Sequence, residues 1–315
     1  MEYKIKNRKI SLKEISKILN IKYLGKNCFI NGLNYSDQNS IYDSILVYCQ
    51  NKKYLKIAMG KKHISAVIIN NSLYTELNED DKQKKSFFLT DDPKFTFFKL
   101  HNYLSEESDF YNDFSFNTII GKNCKIHKSS IIDDGVKIGD NVTIGENVVI
   151  KNGVEIGNDV IVNMNSTIGV NNIELFNNNY KQLILAEHVG GTKIHDKAYI
   201  GANSVIARNI FEGFCEIGPE TYIDNMVHVS HNCKIGKKNI VTTGVTISGS
   251  VTIGDECWIS NGATITNGIV IGNHVKINTG SIVVENVESN KTIAGFYAMD
   301  NIKWLIHTAN IKKMR

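Results

Sequence analysis

Only two prolines, Pro93 and Pro219, occur in 315 residues, and none of the six cysteines belongs to a Cys-x-x-Cys pair. Without that pair the usual redox and zinc signatures are missing, and a reduced, cytoplasmic compartment is expected. No uninterrupted apolar run is long enough to span a bilayer, and Met1-Glu2-Tyr3-Lys4 opens no apolar stretch of the signal-peptide kind. The formal charge of +4 is spread along the chain. With no concentrated basic stripe, nucleic acid is not an expected partner. The abundance of Lys, Asn and Ile beside so little Pro reads as codon bias rather than as a functional signal.

What is present is a period of six. Ile or Val recurs from Ile120 through Ile126, Ile132, Ile138, Ile144, Ile150, Ile156 and Val162 to Ile168, then from Ile217 through Val229, Val241, Ile253 and Ile265 to Val283. A fixed period with a β-branched residue in one slot, often followed by Gly, Asn or Asp, marks a hexapeptide-repeat parallel β-helix. Three hexapeptides make one triangular coil, so side chains 18 apart in sequence stack. The residue two before each Ile also points inward, because side chains alternate along a strand. Val136, Val142, Val154, Val251, Ala263 and Val275 fill that slot, as do Cys124, Cys215, Cys233 and Cys257, which read as small interior spacers.

Three regions follow. Residues 1–113 lack the period and mix helix-like stretches (Leu12 to Leu19, Phe95 to Leu104) with short apolar strands (Ser65 to Ile69, Phe87 to Leu89), as in a small α/β domain. Residues 114–287 form the β-helix, with a polar interruption between Gly169 and Lys193 and a second shift of register between Ile206 and Ile217. Loops expelled from a rigid coil are usually functional or interfacial. Residues 288–315 carry a terminal helix from Asp300 to Met314, placed to cap the last coil or pack on a neighbouring subunit. The expected fold class is mainly β, a left-handed parallel β-helix with an N-terminal α/β domain and a C-terminal helix.

The segment Ile223-Asp224-Asn225-Met226-Val227-His228-Val229-Ser230-His231-Asn232-Cys233-Lys234-Ile235-Gly236 resembles the active-site stretch of the UDP-3-O-acylglucosamine N-acyltransferases of the lipid A pathway. His188-Val189-Gly190-Gly191 and Ile200-Gly201-Ala202-Asn203 resemble that family's entry to the later coils, and Ile293-Ala294-Gly295-Phe296-Tyr297-Ala298 its exit. Tyr48-Cys49-Gln50-Asn51-Lys52-Lys53-Tyr54 followed by Ser65-Ala66-Val67-Ile68 is similar to its nucleotide-base-binding segment. The resemblance implies a homotrimer with active sites in clefts between neighbouring β-helices. The chain departs from the family at Gly169-Val170-Asn171-Asn172-Ile173, at Ile206-Ala207-Arg208-Asn209 and at Asn267-Gly268-Ile269, where the family carries a second histidine. These departures direct the main expectation to relatives that use acyl-CoA to acylate nucleotide-linked (dTDP or UDP) amino-deoxysugars for surface polysaccharide or O-antigen. The alternative is the lipid A reaction itself, with an acyl carrier protein thioester.

Acyl transfer from a thioester to an amine needs a neutral nucleophile, a proton acceptor and donors for the tetrahedral oxyanion. His231, two positions beyond inward Val229, falls at a coil corner and suits the base. Gly249 lies one coil further on, where the lack of a side chain lets a thioester approach a backbone N–H; the resemblance expects the oxyanion amide at this same spacing. His228 and Asp224 are further catalytic candidates, although exposed histidines and corner carboxylates are more often solvated. Asn232, Lys237, Lys238 and Trp258 are candidates for contact with the donor. Against that, Asn232 can simply satisfy a corner, the lysines can be a solvated face, and Trp258 can belong to a subunit interface. Tyr48, Asn51 and Tyr54 are the acceptor-side candidates, two rings and an amide able to clamp a pyrimidine, or else core residues. No tightly bound cofactor is expected, the acyl thioester being a co-substrate, and no metal. A γ-type carbonic anhydrase, which shares the fold, commonly carries a His-x4-His pair that this β-helix lacks. A non-catalytic β-helix scaffold would account for the repeat but not for the spacing of His231 and Gly249.

Overall fold

Isoleucine and valine at every sixth position build three parallel sheets of eight, eight and nine short strands around one column of buried side chains. The computed structural model describes residues 8–177, 183–295 and 301–313. Each strand pairs with the one a full coil away: Ile144 with Val162, Val229 with Ile247, and Ile247 with Ile265. This is the left-handed hexapeptide architecture expected from the repeat. Cys215, Cys233 and Cys257 are buried in the inward slot beside Val251 and Ala263, as spacers should be. Cys124 is only partly covered, because its strand neighbour Lys125–Ile126 is the last of its sheet.

The corners require a left-handed backbone. Asn141, Asn147, Asn165, Asn203 and Asn232 turn them with φ between 54° and 60°, a region that asparagine tolerates better than other side-chain-bearing residues. The asparagine content, which composition alone assigns to codon bias, therefore has a structural cause in part.

The α/β domain is a five-stranded sheet. Gly32–Leu33, Ile45–Tyr48, Ile64–Ile69 and Ser86–Leu89 run parallel, and Tyr23–Leu24 closes one edge antiparallel. Around it lie α1 (Leu12–Leu19), α2 (Lys52–Gly60), α3 (Asn71–Thr75), α4 (Glu79–Lys84) and α5 (Pro93–Glu106). The helix-like and strand-like stretches read from sequence coincide with α1, α5 and the strands Ile64–Ile69 and Ser86–Leu89. α1 opens with a capping box between Ser11 and Glu14. α5 starts at Pro93 behind the capping carboxylate of Asp92 and buries Phe97, Phe98, Leu100, His101 and Leu104.

Two insertions in the β-helix join it to this domain. Ile156 pairs with Ile194, and Ile200 with Ile223, each across a lengthened coil. The first insertion forms an antiparallel hairpin, Leu175–Asn177 with Leu183–Leu185. Its Phe176 stacks on Phe98 at 5.1 Å, and Phe211 of the second insertion meets Tyr35 at 5.0 Å. His101 bonds the Tyr111 hydroxyl at 2.6 Å and the Glu187 carbonyl at 3.0 Å. The Tyr42 hydroxyl donates to Glu212 at 2.6 Å. The seam is thus one aromatic core with polar stitches at its rim.

The last helix, α6 (Asn301–Lys313), leaves Ile302, Leu305 and Ile306 exposed instead of burying them on the final coil. Among the described residues no helix is long and apolar enough to cross a membrane. Met1 to Lys4, residues 178–182 of the polar interruption, Phe296 to Ala298, Asp300 and Met314, all named or spanned in the sequence reading, lie outside the described residues.

Candidate active site

The strand His228–Val229 ends with Val229 buried in the coil, and the chain then turns through Ser230, His231 and Asn232. Asn232 takes φ +59° and accepts the Ile210 amide on Oδ1 at 2.8 Å. That turn lays the His231 ring on the next coil, directly over Gly249. A Cβ at Gly249 would sit 2.5 Å from Cε1 and 2.6 Å from Nε2 of His231. Glycine is needed there because the imidazole occupies the space of a side chain.

His231 as a whole is 6% exposed. Its Nε2 lies 3.9 Å from Oε2 of Glu174, which precedes the inserted hairpin, and Oε1 of the same carboxylate holds the Lys94 ammonium at 2.7 Å. His188 stands edge-on to His231 with ring centroids 6.0 Å apart. Burial pushes the His231 pKa below its ordinary value, and the Glu174 charge pulls the other way. His188, also buried and next to His231, is pushed down to about 4. Both effects favour a neutral imidazole at pH 7, the form that can accept a proton.

In front of the ring opens a cavity of about 250 Å³. Tyr35, Asp37, Tyr48, Gln50 and Tyr54 line its α/β-domain side; Glu174, His231, Gly249 and Asn267 line the β-helix side. Of the three acceptor-side candidates, Tyr48 and Tyr54 reach this wall. Asn51 does not: its side chain caps α2 by accepting the Tyr54 amide. Tyr48 serves the core as well, packing 5.0 Å from Phe97.

The other candidates are dispersed. The Gly249 N–H, expected to be free for an oxyanion, donates to Asn267 Oδ1 at 3.1 Å. Asp224 lies on another face, bonded by the Thr243 hydroxyl in a groove with Tyr199, Tyr222 and Ile240. His228 is half-buried near the site, its Nε2 3.3 Å from Asn172 Nδ2, and burial lowers its pKa. Asn232 is a corner residue whose Oδ1 accepts the Ile210 amide. Lys237 and Lys238 are exposed at the next corner, Lys237 within 3.8 Å of Asp255. Trp258 faces outward on the strand Trp258–Ile259, away from the lining of this cavity. No group of three or more His, Cys, Asp or Glu able to hold a metal occurs among the described residues.

Glu174, Asn267, Asp37 and Tyr35 line the site without having been singled out as candidates from sequence, and Gln50 does so from within the quoted Tyr48-to-Tyr54 segment. Glu174 carried a signal, being the one acidic residue between Asn171 and Leu185. Asn267 fell inside a segment noted only as a departure.

Comparison with known proteins matches residues 117–152 to the bacterial transferase hexapeptide (six repeats) and residues 227–267 and 250–285 to the hexapeptide repeat of succinyl-transferase. These stretches carry the hexapeptide repeat of bacterial transferases. No curated protein matches this hexapeptide-repeat chain at a significant level. Among solved structures it is similar to a UDP-N-acetylglucosamine acyltransferase from Bacteroides fragilis, at 26% identity, covering 61% of this chain and 74% of that one with a TM-score of 0.49. A UDP-N-acetylglucosamine acyltransferase from Campylobacter jejuni gives 24% identity, 52% and 68% coverage and a TM-score of 0.40. A perosamine N-acetyltransferase from Caulobacter crescentus, in complex with CoA and GDP-perosamine, gives 14% identity, 74% and 67% coverage and a TM-score of 0.22. All three lie below a TM-score of 0.5, and none transfers an activity to this chain.

Proposed function

We propose that this hexapeptide-repeat protein transfers an acyl group from a thioester to the amine of a nucleotide-linked sugar, with His231 as general base. The observation that carries the reading is the His231 ring, laid over Gly249 at the floor of a cavity whose opposite wall is the Tyr48-to-Tyr54 segment. Tyr48 and Tyr54 would hold the base of the nucleotide, directing the sugar amine to His231. The amine attacks the thioester carbonyl as His231 takes its proton, and the thiolate leaves with that proton on collapse of the intermediate. The oxyanion takes the place of Asn267 Oδ1 on the Gly249 amide.

Two finer readings differ in donor. Every described segment through which the sequence resembles the UDP-3-O-acylglucosamine N-acyltransferases and which reaches this cavity does so beside His231: Tyr48, Gln50 and Tyr54 on one wall, His231 on the other. That convergence is common to both readings, the lipid A type of reaction with an acyl carrier protein thioester and acyl-CoA transfer to a dTDP-linked amino-deoxysugar, and the donor separates them. Assembly as a homotrimer belongs to the same proposal. Ile161, Tyr199, Tyr222, Ile240 and Trp258 stand in paired register on one outer face, with Tyr222 53% and Trp258 47% exposed, and a second copy is a fitting cover for such a ladder.

Thiol release by the purified protein tests the reading. The assay supplies 3-hydroxyacyl carrier protein, acetyl-CoA and 3-hydroxybutyryl-CoA in turn, each with UDP- and dTDP-linked amino sugars. Release that depends on one amino sugar and on His231 supports the function, and the active donor decides between the two forms. Silence with all donors sinks it.

A further inference from the structure

Glu174 is placed with more care than a loop carboxylate requires. Its carbonyl accepts the Ala186 amide at 2.9 Å, closing the base of the hairpin. Lys94 of α5 holds its Oε1 at 2.7 Å and donates to the Leu175 carbonyl at 3.2 Å, while the Lys94 ammonium lies 5.8 Å from the centre of the Phe98 ring. Phe176, two residues on, is fixed by its stack on Phe98. The side chain is 17% exposed, and its second oxygen points into the cavity 3.9 Å from His231 Nε2. That separation exceeds a hydrogen bond, so the coupling is one of charge.

A base this deeply buried is well suited to remain neutral but poorly suited to hold the proton it accepts. Apart from the Asn232 side chain, whose hydrogen bonding favours the charged form, the neighbouring groups do not help. His188 and His228 would repel an imidazolium if charged, and Arg208 lies behind His188. Asp37 lines the far wall of the cavity, on the α/β-domain side. Glu174 is the carboxylate at ion-pair distance.

We infer that Glu174, held at the base of the inserted hairpin and tethered by Lys94, is the positioning residue that stabilises the His231 imidazolium during acyl transfer. The inference rests on the reading of His231 as base. During the step the amine gains a bond to the acyl carbon, the C–S bond breaks, and the proton passes from amine to His231 and on to the leaving sulfur. Glu174 acts through its charge and bonds to nothing that reacts. The hairpin therefore gives the α/β domain, through α5, a hold on the charge state of the base.

The test is Glu174→Gln and Glu174→Asp in the full chain, read in two ways. One is the pH titration of the His231 ring protons by NMR, assigned with His231→Ala; the other is the pH profile of kcat for the thiol-release reaction. In Glu174→Gln the titration midpoint of His231 should move to lower pH, the acid limb of kcat should move with it, and kcat on the plateau should fall by about tenfold or more with KM little changed. Glu174→Asp, which keeps the charge, should recover most of the midpoint. An unmoved midpoint in Glu174→Gln overturns the inference, and so does a fall in kcat unaccompanied by any shift, which marks a purely structural role. A shifted midpoint in a protein without transferase activity would uphold the coupling and reject the function.

Discussion

The β-helix and the seam that joins it to the α/β domain solve opposite problems. In the β-helix every coil repeats the last, from Ile223 beside Val241 to Ile259 beside Ile277, so position is set by counting. In the seam nothing repeats. Phe98, Phe176, Phe211, Tyr35 and His101 come from four separate stretches and meet once. The coil supplies a rigid corner for His231, and the non-repeating seam brings Glu174 and the Tyr48 wall to it. Regularity gives the site its precision, and departure from regularity gives it chemistry.

The largest effect should come from breaking the seam at its centre. Phe98 is fully buried between Phe176 and Phe211, and Phe98→Ala should cost about 3–5 kcal/mol of local stability. Hydrogen exchange should then accelerate in the segments 170–177 and 183–190 while the amides of 235–283 keep their protection. Loss of protection throughout would mean that the two regions form one cooperative unit.

His231→Ala should sharpen the contrast from the other side. It should lower turnover by about 100-fold or more, and it should leave the melting temperature nearly unchanged, because the corner is held by Asn232 and the coil rather than by the imidazole. Gly249→Ala comes next. The new Cβ would press on Cε1 and Nε2 of His231 and the ring must turn aside, so kcat should fall by about tenfold while the pairing of Val229 with Ile247 persists. Unaltered kcat in Gly249→Ala would mean that the observed ring position is not the working one.

Legibility followed the same division. The inward Ile and Val, the cysteine spacers and the coil position of His231 and Gly249 were readable because a period of 18 maps sequence directly onto contact. Asn232, Gly249 and Asp224 show where that reading ends. Spacing placed Gly249 under His231, but it could not show that Asn267 Oδ1 occupies the Gly249 amide. Nor could it show that Asp224 turns to Thr243 on another face. Asn51 looked like a ligand because it stands between two tyrosines, whereas the start of α2 there demands a cap. Glu174 was hidden for the converse reason: its partners Lys94 and His231 lie far away in sequence, and only folding of the hairpin onto α5 brings them together.

The smallest effect, and the finest test of the contrast, is acid. His101 in the seam and His188 behind the site are buried and held neutral, each pushed from an ordinary 6.5 to about 4 by desolvation. A histidine depressed in the folded state contributes stability that is full above about pH 6.5 and is lost as pH falls toward about 4, because the unfolded chain binds the proton first. On the outer face of the coil the sign of the shift is the same but the window differs. Glu216, bonded by His195 and Lys234, is lowered from 4.5 to about 2, so its contribution survives until pH drops below about 4.5. Between pH 6.5 and 4.5 the seam should therefore loosen while the coil holds. Limited proteolysis at pH 7 and pH 5 reads this directly, with faster cleavage at pH 5 expected within 170–177 and 183–190 and none within 235–283. Equal rates at the two pH values would mean that the folded seam does not hold these histidines neutral, and that the two regions respond to acid as one.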